Sequence, residues 1–104
     1  MRNYESVFVI KPDLEAEATA ALIEKFTKLI ADQGGEVVQV NEWGKKRMAY
    51  EVRKYREGYY VIIEFKGAPN VSQELERLLR INDDILRYLI TRLEEKPNTE
   101  KEVS

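Results

Sequence analysis

The sequence predicts an α+β domain whose elements run β-α-β-β-α-β. Three observations carry that prediction. Two segments repeat apolar residues at helical spacing, flanking segments alternate or run apolar as strands do, and Gly34-Gly35, Gly58 and Gly67-Ala68-Pro69 punctuate them.

Arg2 to Ile10 reads as the first strand. Tyr4, Ser6, Phe8 and Ile10 alternate with Asn3, Glu5, Val7 and Val9, and both sets hold apolar residues, as in a central strand. Lys11-Pro12-Asp13 ends it, because Pro has no amide donor for a ladder. Asp13 to Gln33 reads as a helix with Ala18, Leu22, Phe26, Leu29 and Ile30 on one stripe. Asp13, Glu15 and Glu17 suit its positive N-terminal end, and Gly34-Gly35 supplies the stop. Glu36 to Val52 reads as a long strand in which Gly44 marks a bulge or bend; a separate short hairpin around Gly44 is the alternative. Lys54 to Gly58 reads as a turn, with Gly58 taking the positive φ. Tyr59 to Phe65 is then a strand antiparallel to its predecessor, with Tyr59, Val61, Ile63 and Phe65 on one face and Tyr60, Ile62 and Glu64 on the other. After the Gly67-Ala68-Pro69 loop, Asn70 is expected as N-cap with Gln73 as its capping-box partner. Val71, Leu75, Leu78 and Leu79 form the stripe of a second helix, which Asn82-Asp83-Asp84 ends. Ile85 to Leu93 is the last strand, with Tyr88 and Ile90 toward the core.

This order is the split βαβ pattern of ferredoxin-like folds: a four-stranded antiparallel sheet with both helices on one face. Residues 1–93 are expected to form that domain, and 94–104, polar and acidic, a tail that is disordered in isolation. The helix-free face would carry Val7, Val9, Tyr60, Ile62 and Leu89, an apolar patch suited to a protein partner or else ordinary exposed apolar surface.

Composition narrows the chemistry. The 104 residues contain neither Cys nor His, which excludes disulfides, thiolate or imidazole metal sites, Cys nucleophiles and Ser-His-Asp triads. The acids Glu15, Glu17, Asp83, Asp84, Glu94 and Glu95 are spread over helix ends and the tail, and nothing pairs two of them for acid–base work. No Gly-rich phosphate loop or metal signature is present, so no cofactor, metal, small-molecule substrate or catalytic residue is expected. The N-terminus does not read as a signal peptide, and no apolar run approaches a membrane span, which points to a cytoplasmic protein without membrane contact.

Charge is distributed unevenly. The chain carries 17 Lys and Arg against 19 Asp and Glu, a net −2. Yet Lys45 to Arg56 holds six basic residues (Lys45, Lys46, Arg47, Arg53, Lys54 and Arg56) and one acid, Glu51. That local balance of +5 leaves −7 for the remainder. A cationic segment interleaved with Trp43, Tyr50 and Tyr55 suits phosphates and stacked bases or riboses. Arg2 would join this surface if the N-terminus lay near the hairpin. The competing structural reading is that Lys and Arg guard an edge strand while Met48, Tyr50 and Val52 face the core.

Several segments together resemble the bacterial small-subunit ribosomal protein S-six family. They are Met1-Arg2-Asn3-Tyr4-Glu5, Glu42-Trp43-Gly44-Lys45-Lys46-Arg47-Met48-Ala49-Tyr50, Gly58-Tyr59-Tyr60 and Leu78-Leu79-Arg80-Ile81-Asn82-Asp83, and the likeness runs from Met1 to about Arg92. The resemblance implies the fold reached above and a structural, non-enzymatic role. That role is binding the central domain of 16S rRNA, as a heterodimer with the small-subunit protein numbered eighteen, during assembly of the small subunit. Lys45, Lys46 and Arg47 lie on the family's motif and are expected to contact rRNA; Arg2 follows, and Arg53, Lys54 and Arg56 are added on charge. Tyr60, Ile62, Val7 and Leu89 are the expected partner interface. The tail from Pro97 matches no pattern.

Two alternatives compete. Arg56 to Phe65 faintly echoes the central strand of an RNA-recognition motif, which would bind short single strands unaided. An acylphosphatase-like enzyme shares the element order, but Val9-Ile10-Lys11-Pro12 offers neither its Arg nor its Gly-rich cradle.

Overall fold

The computed structural model describes residues 2–93. The elements are β1 (Arg2–Ile10), α1 (Ala16–Asp32), β2 (Glu36–Val52), β3 (Tyr55–Gly67), α2 (Pro69–Ile81) and β4 (Ile85–Leu93). The strands form one antiparallel sheet in the order β2-β3-β1-β4, so the central pair is β1 and β3, and β2 and β4 are the edges. This is the ferredoxin-like α+β architecture that the element order predicts. The expectation for 94–104 lies outside the described residues.

The core lies between the sheet and the helices. Phe8, Ile10, Ile63 and Phe65 from the central strands meet Leu22, Phe26 and Ile30 of α1 and Val71, Leu75 and Leu79 of α2. Phe8 and Phe26 pack edge to face at 5.2 Å between ring centroids, and Tyr4 stacks on Phe65 at 5.3 Å. Tyr88 and Ile90 pack against this cluster, as the alternation of β4 requires. On α1 the buried stripe includes Thr19 and Ile23, whereas Ala18 is exposed.

The helix starts differ from expectation in two places, while α2 ends at Asn82 as expected. The first turn of α1 begins at Ala16, because Pro12 to Glu15 is irregular. α2 is capped by Ala68 with Pro69 at its first position, and Ala68 makes no side-chain cap. Pro69 has no amide proton to satisfy and its φ is already helical, so the helix starts one residue ahead of Asn70 and the Asn70–Gln73 capping box does not form. At the end of α2, Asn82 Oδ1 accepts the Asp84 amide at 2.8 Å and turns the chain into β4.

Candidate nucleic-acid interface

The basic segment forms a long β2–β3 hairpin that runs past the end of β1. Ile10, the last residue of β1, pairs with Tyr59, and Tyr59 pairs with Lys45. Everything from Lys46 to Gly58 therefore projects beyond β1. Gly44 carries φ +82 where the β2–β3 register slips between Glu42 and Gly44, so the expected bulge is present, with Trp43 exposed on it.

The turn lies elsewhere than expected. Val52 pairs with Tyr55 across a two-residue loop, Arg53-Lys54, whose φ values are +49 and +70. Both central residues are left-handed, as a type I′ hairpin turn requires. Gly58 is instead buried inside β3, and its φ is not positive. A Cβ at Gly58 would lie 2.0 Å from Val9 Cγ1, so close packing, and not turn geometry, explains this glycine.

Beyond β1 the hairpin curls back across the helix-free face. The Arg53 guanidinium donates to the Ile85 carbonyl at 2.6 Å, and the Arg87 guanidinium lies 5.0 Å from the centre of the Tyr50 ring. Ile85 and Arg87 belong to β4, the opposite edge of the sheet, so the tip must pass over the end of β1. Tyr55 donates to Asp13 Oδ2 at 2.9 Å in the β1–α1 loop, and Tyr59 donates to Glu42 Oε1 at 2.7 Å. These hydrogen bonds hold both hydroxyls above the ordinary tyrosine pKa. Arg87, Ile85 and Asp13 join the hairpin only through the curl. No local signal links Tyr50 to a residue of β4.

The curl changes the open face. Met48 is 5% exposed, Val9 4% and Ile62 8%, although none belongs to the helix-side core. Ile62 was expected at a partner interface. It sits on a central strand between Asn41 and Val7, and the chain itself buries it. Val7 and Tyr60 are half-buried, and Leu89, opposite Val7 on the β4 edge, is 63% exposed.

The cations fall into two groups. Among the described residues, Lys45, Lys46, Arg47 and Lys54 make no ion pair, and Lys46 sits 5.3 Å from the centre of the Trp43 ring. Arg56 pairs with Glu51 at 3.2 Å in an exposed bridge across the hairpin, and Arg53 faces a backbone carbonyl. Arg47, Met48, Ala49, Tyr50, Glu51 and Arg56 line a shallow concavity of about 300 Å³. Arg2 is not brought to this surface. It pairs with Gly67, nine residues along β3 from Gly58, which is about 30 Å at the rise of a strand. No cluster of three or more His, Cys, Asp or Glu residues fit for a metal occurs among the described residues, and no helix there is long and apolar enough to cross a membrane.

The class defined by these features is a ferredoxin-like domain that presents a cationic, aromatic-bearing hairpin beyond its sheet. Known proteins make it specific. The family model described as Ribosomal protein S6 matches residues 3–92. Small ribosomal subunit protein bS6 of Moorella thermoacetica is 76% identical over 96 residues, covering 92% of this chain and 98% of its own. The protein of that name from Heliobacterium modesticaldum is 51% identical over 96 residues, covering 92% and 100%. The crystal structure of 30S ribosomal protein S6 from Thermotoga maritima matches with a TM-score of 0.84 at 34% identity, over 88% of this chain and 87% of that one. The chain belongs to the ribosomal protein S6 family.

Proposed function

We propose that this chain is a non-enzymatic component of the small ribosomal subunit that binds the central domain of 16S rRNA together with the small-subunit protein numbered eighteen. The observation that carries the reading is the cationic hairpin. Lys45, Lys46, Arg47, Lys54 and Arg56 project from one ribbon of a chain whose net charge is −2, and four of them have no carboxylate partner among the described residues.

The mechanism is positional. Lysine and arginine heads on a curved ribbon engage phosphates, and Trp43 and Tyr50 offer flat apolar faces to ribose or an unstacked base. Recognition then rests on the shape of folded RNA more than on base sequence. Arg2, at the other end of the sheet, is a separate contact. A chain that is acidic overall has weak long-range attraction to a polyanion, and joint binding with a basic partner, as the family resemblance implies, is consistent with that. The partner's docking surface is assigned to the helix-free face around Leu89, with Val7 and Tyr60 on the same face and Ile62 a buried neighbour of Val7 in the adjacent strand.

Gel filtration of the purified chain, its partner and a central-domain rRNA fragment tests this reading. The three should elute together, and the chain alone should not hold the RNA. Failure of the chain to enter the complex when the partner is present would rule the reading out.

A further inference from the structure

We propose that Arg53 and the Tyr50–Arg87 pair form a latch that fixes the curl of the β2–β3 hairpin, so that Arg53 positions the phosphate-binding cations and is not one of them. The positioning role rests on the rRNA reading above; the latch itself does not.

Arg53 occupies a turn position with φ +49, where a side chain with a Cβ is disfavoured and Asn or Gly is the usual occupant. A contact outside the turn can offset that cost. The guanidinium supplies it by donating to the Ile85 carbonyl at 2.6 Å in a part-buried setting. A bond from a charged donor is stronger there than on an open surface. Ile85 lies where β4 slips register against β1, since Val9 pairs with Arg87 and Ile10 with Ile85. Two residues along β4, Arg87 closes on the Tyr50 ring at 5.0 Å. One arginine of the tip reaches β4, and one arginine of β4 reaches the tip. The two contacts join the sheet's opposite edges and hold Met48 in its buried place. Lys45, Lys46 and Arg47 lie between the sheet and this latch, so its closure sets the curvature at which they meet RNA and removes an ordering cost from binding.

Arg53→Asn separates the possibilities, because Asn tolerates the left-handed turn while the guanidinium is lost. Tyr50→Leu is the second variant and leaves every charge in place. Amide hydrogen exchange on the free chain reads the latch without RNA, and the salt dependence of binding to the partner and rRNA fragment reads the role of Arg53. In Arg53→Asn, exchange across residues 48–56 should quicken roughly tenfold or more while the centre of β1 stays protected. Affinity should fall roughly tenfold with the slope of log K against log salt unchanged. Tyr50→Leu is read by exchange on the free chain alone, because its ring also offers a face to RNA, and should quicken the same amides by about threefold. Unchanged exchange in Arg53→Asn overturns the latch. A slope reduced by about one unit with the hairpin still protected makes Arg53 a phosphate contact and overturns the positioning role. If the wild-type chain fails to bind the RNA with its partner present, the rRNA reading and the positioning role fall together, and exchange alone decides the latch.

Discussion

The two faces of the sheet are closed by different means. The helix side is sealed by a contiguous apolar cluster in which Phe8, Phe26, Ile63 and Leu75 are completely buried. Among the described residues the other side is closed only at one end, by the sheet's own hairpin, and is held there by a guanidinium–carbonyl bond, a cation–π contact and a tyrosine–aspartate bond. Apolar burial is non-directional and holds the fold; the directional contacts set the shape of a functional ribbon. The difference teaches that stability and the candidate binding geometry reside in separable parts of the molecule.

Core truncation gives the sharpest contrast. Leu75→Ala should lower stability by about 3–4 kcal/mol, because a cavity is left among fixed neighbours. Met48→Ala should cost about 2 kcal/mol, since the hairpin can settle into the space, and should loosen the tip first. Denaturant unfolding and exchange mapping check both; equal costs would mean the two faces are equally rigid. Next in size is Gly58→Ala. The added methyl meets Val9, a stiff and buried β-branched neighbour, and should destabilise by roughly 1–3 kcal/mol, measurable as a lowered unfolding midpoint.

Lys54→Gly acts in the opposite direction. With φ +70 relieved, the fold should gain about 0.5–1 kcal/mol, while the salt slope of RNA binding falls by about one for the lost cation. A gain in stability without loss of slope would remove Lys54 from the interface. The smallest effect is alkaline. Tyr59 donates to Glu42, which holds its folded pKa above the unfolded value of about 10. Its contribution is therefore complete below that pH and is lost as pH rises through the folded value. The stability difference between wild type and Tyr59→Phe should shrink above pH 10; a constant difference would show that the bond does not couple to folding.

Much of this was legible in the sequence because it is local. Alternation placed Tyr4, Phe8 and Ile63 toward the helices, helical spacing placed Leu22, Phe26 and Leu75, and Gly44 marked its bulge. The errors fall where distant residues decide. Gly58 looks like a turn residue, but Val9 requires a glycine inside the strand, and the turn moves to Arg53-Lys54 against local preference. Ile62 looks outward by alternation, yet on a central strand between Asn41 and Val7 it is 8% exposed. The cationic segment could be read as one group, but the division of Arg53 from Lys45, Lys46 and Arg47 depends on a carbonyl 32 positions away.

The most direct measurement is the salt dependence of binding to the central-domain rRNA fragment, with the partner present, for wild type and for the triple variant Lys45→Glu, Lys46→Glu, Arg47→Glu. The account predicts weaker binding and a slope of log K against log salt shallower by about two to three, one for each cation withdrawn from phosphate. Unchanged affinity and slope in the triple variant would contradict it.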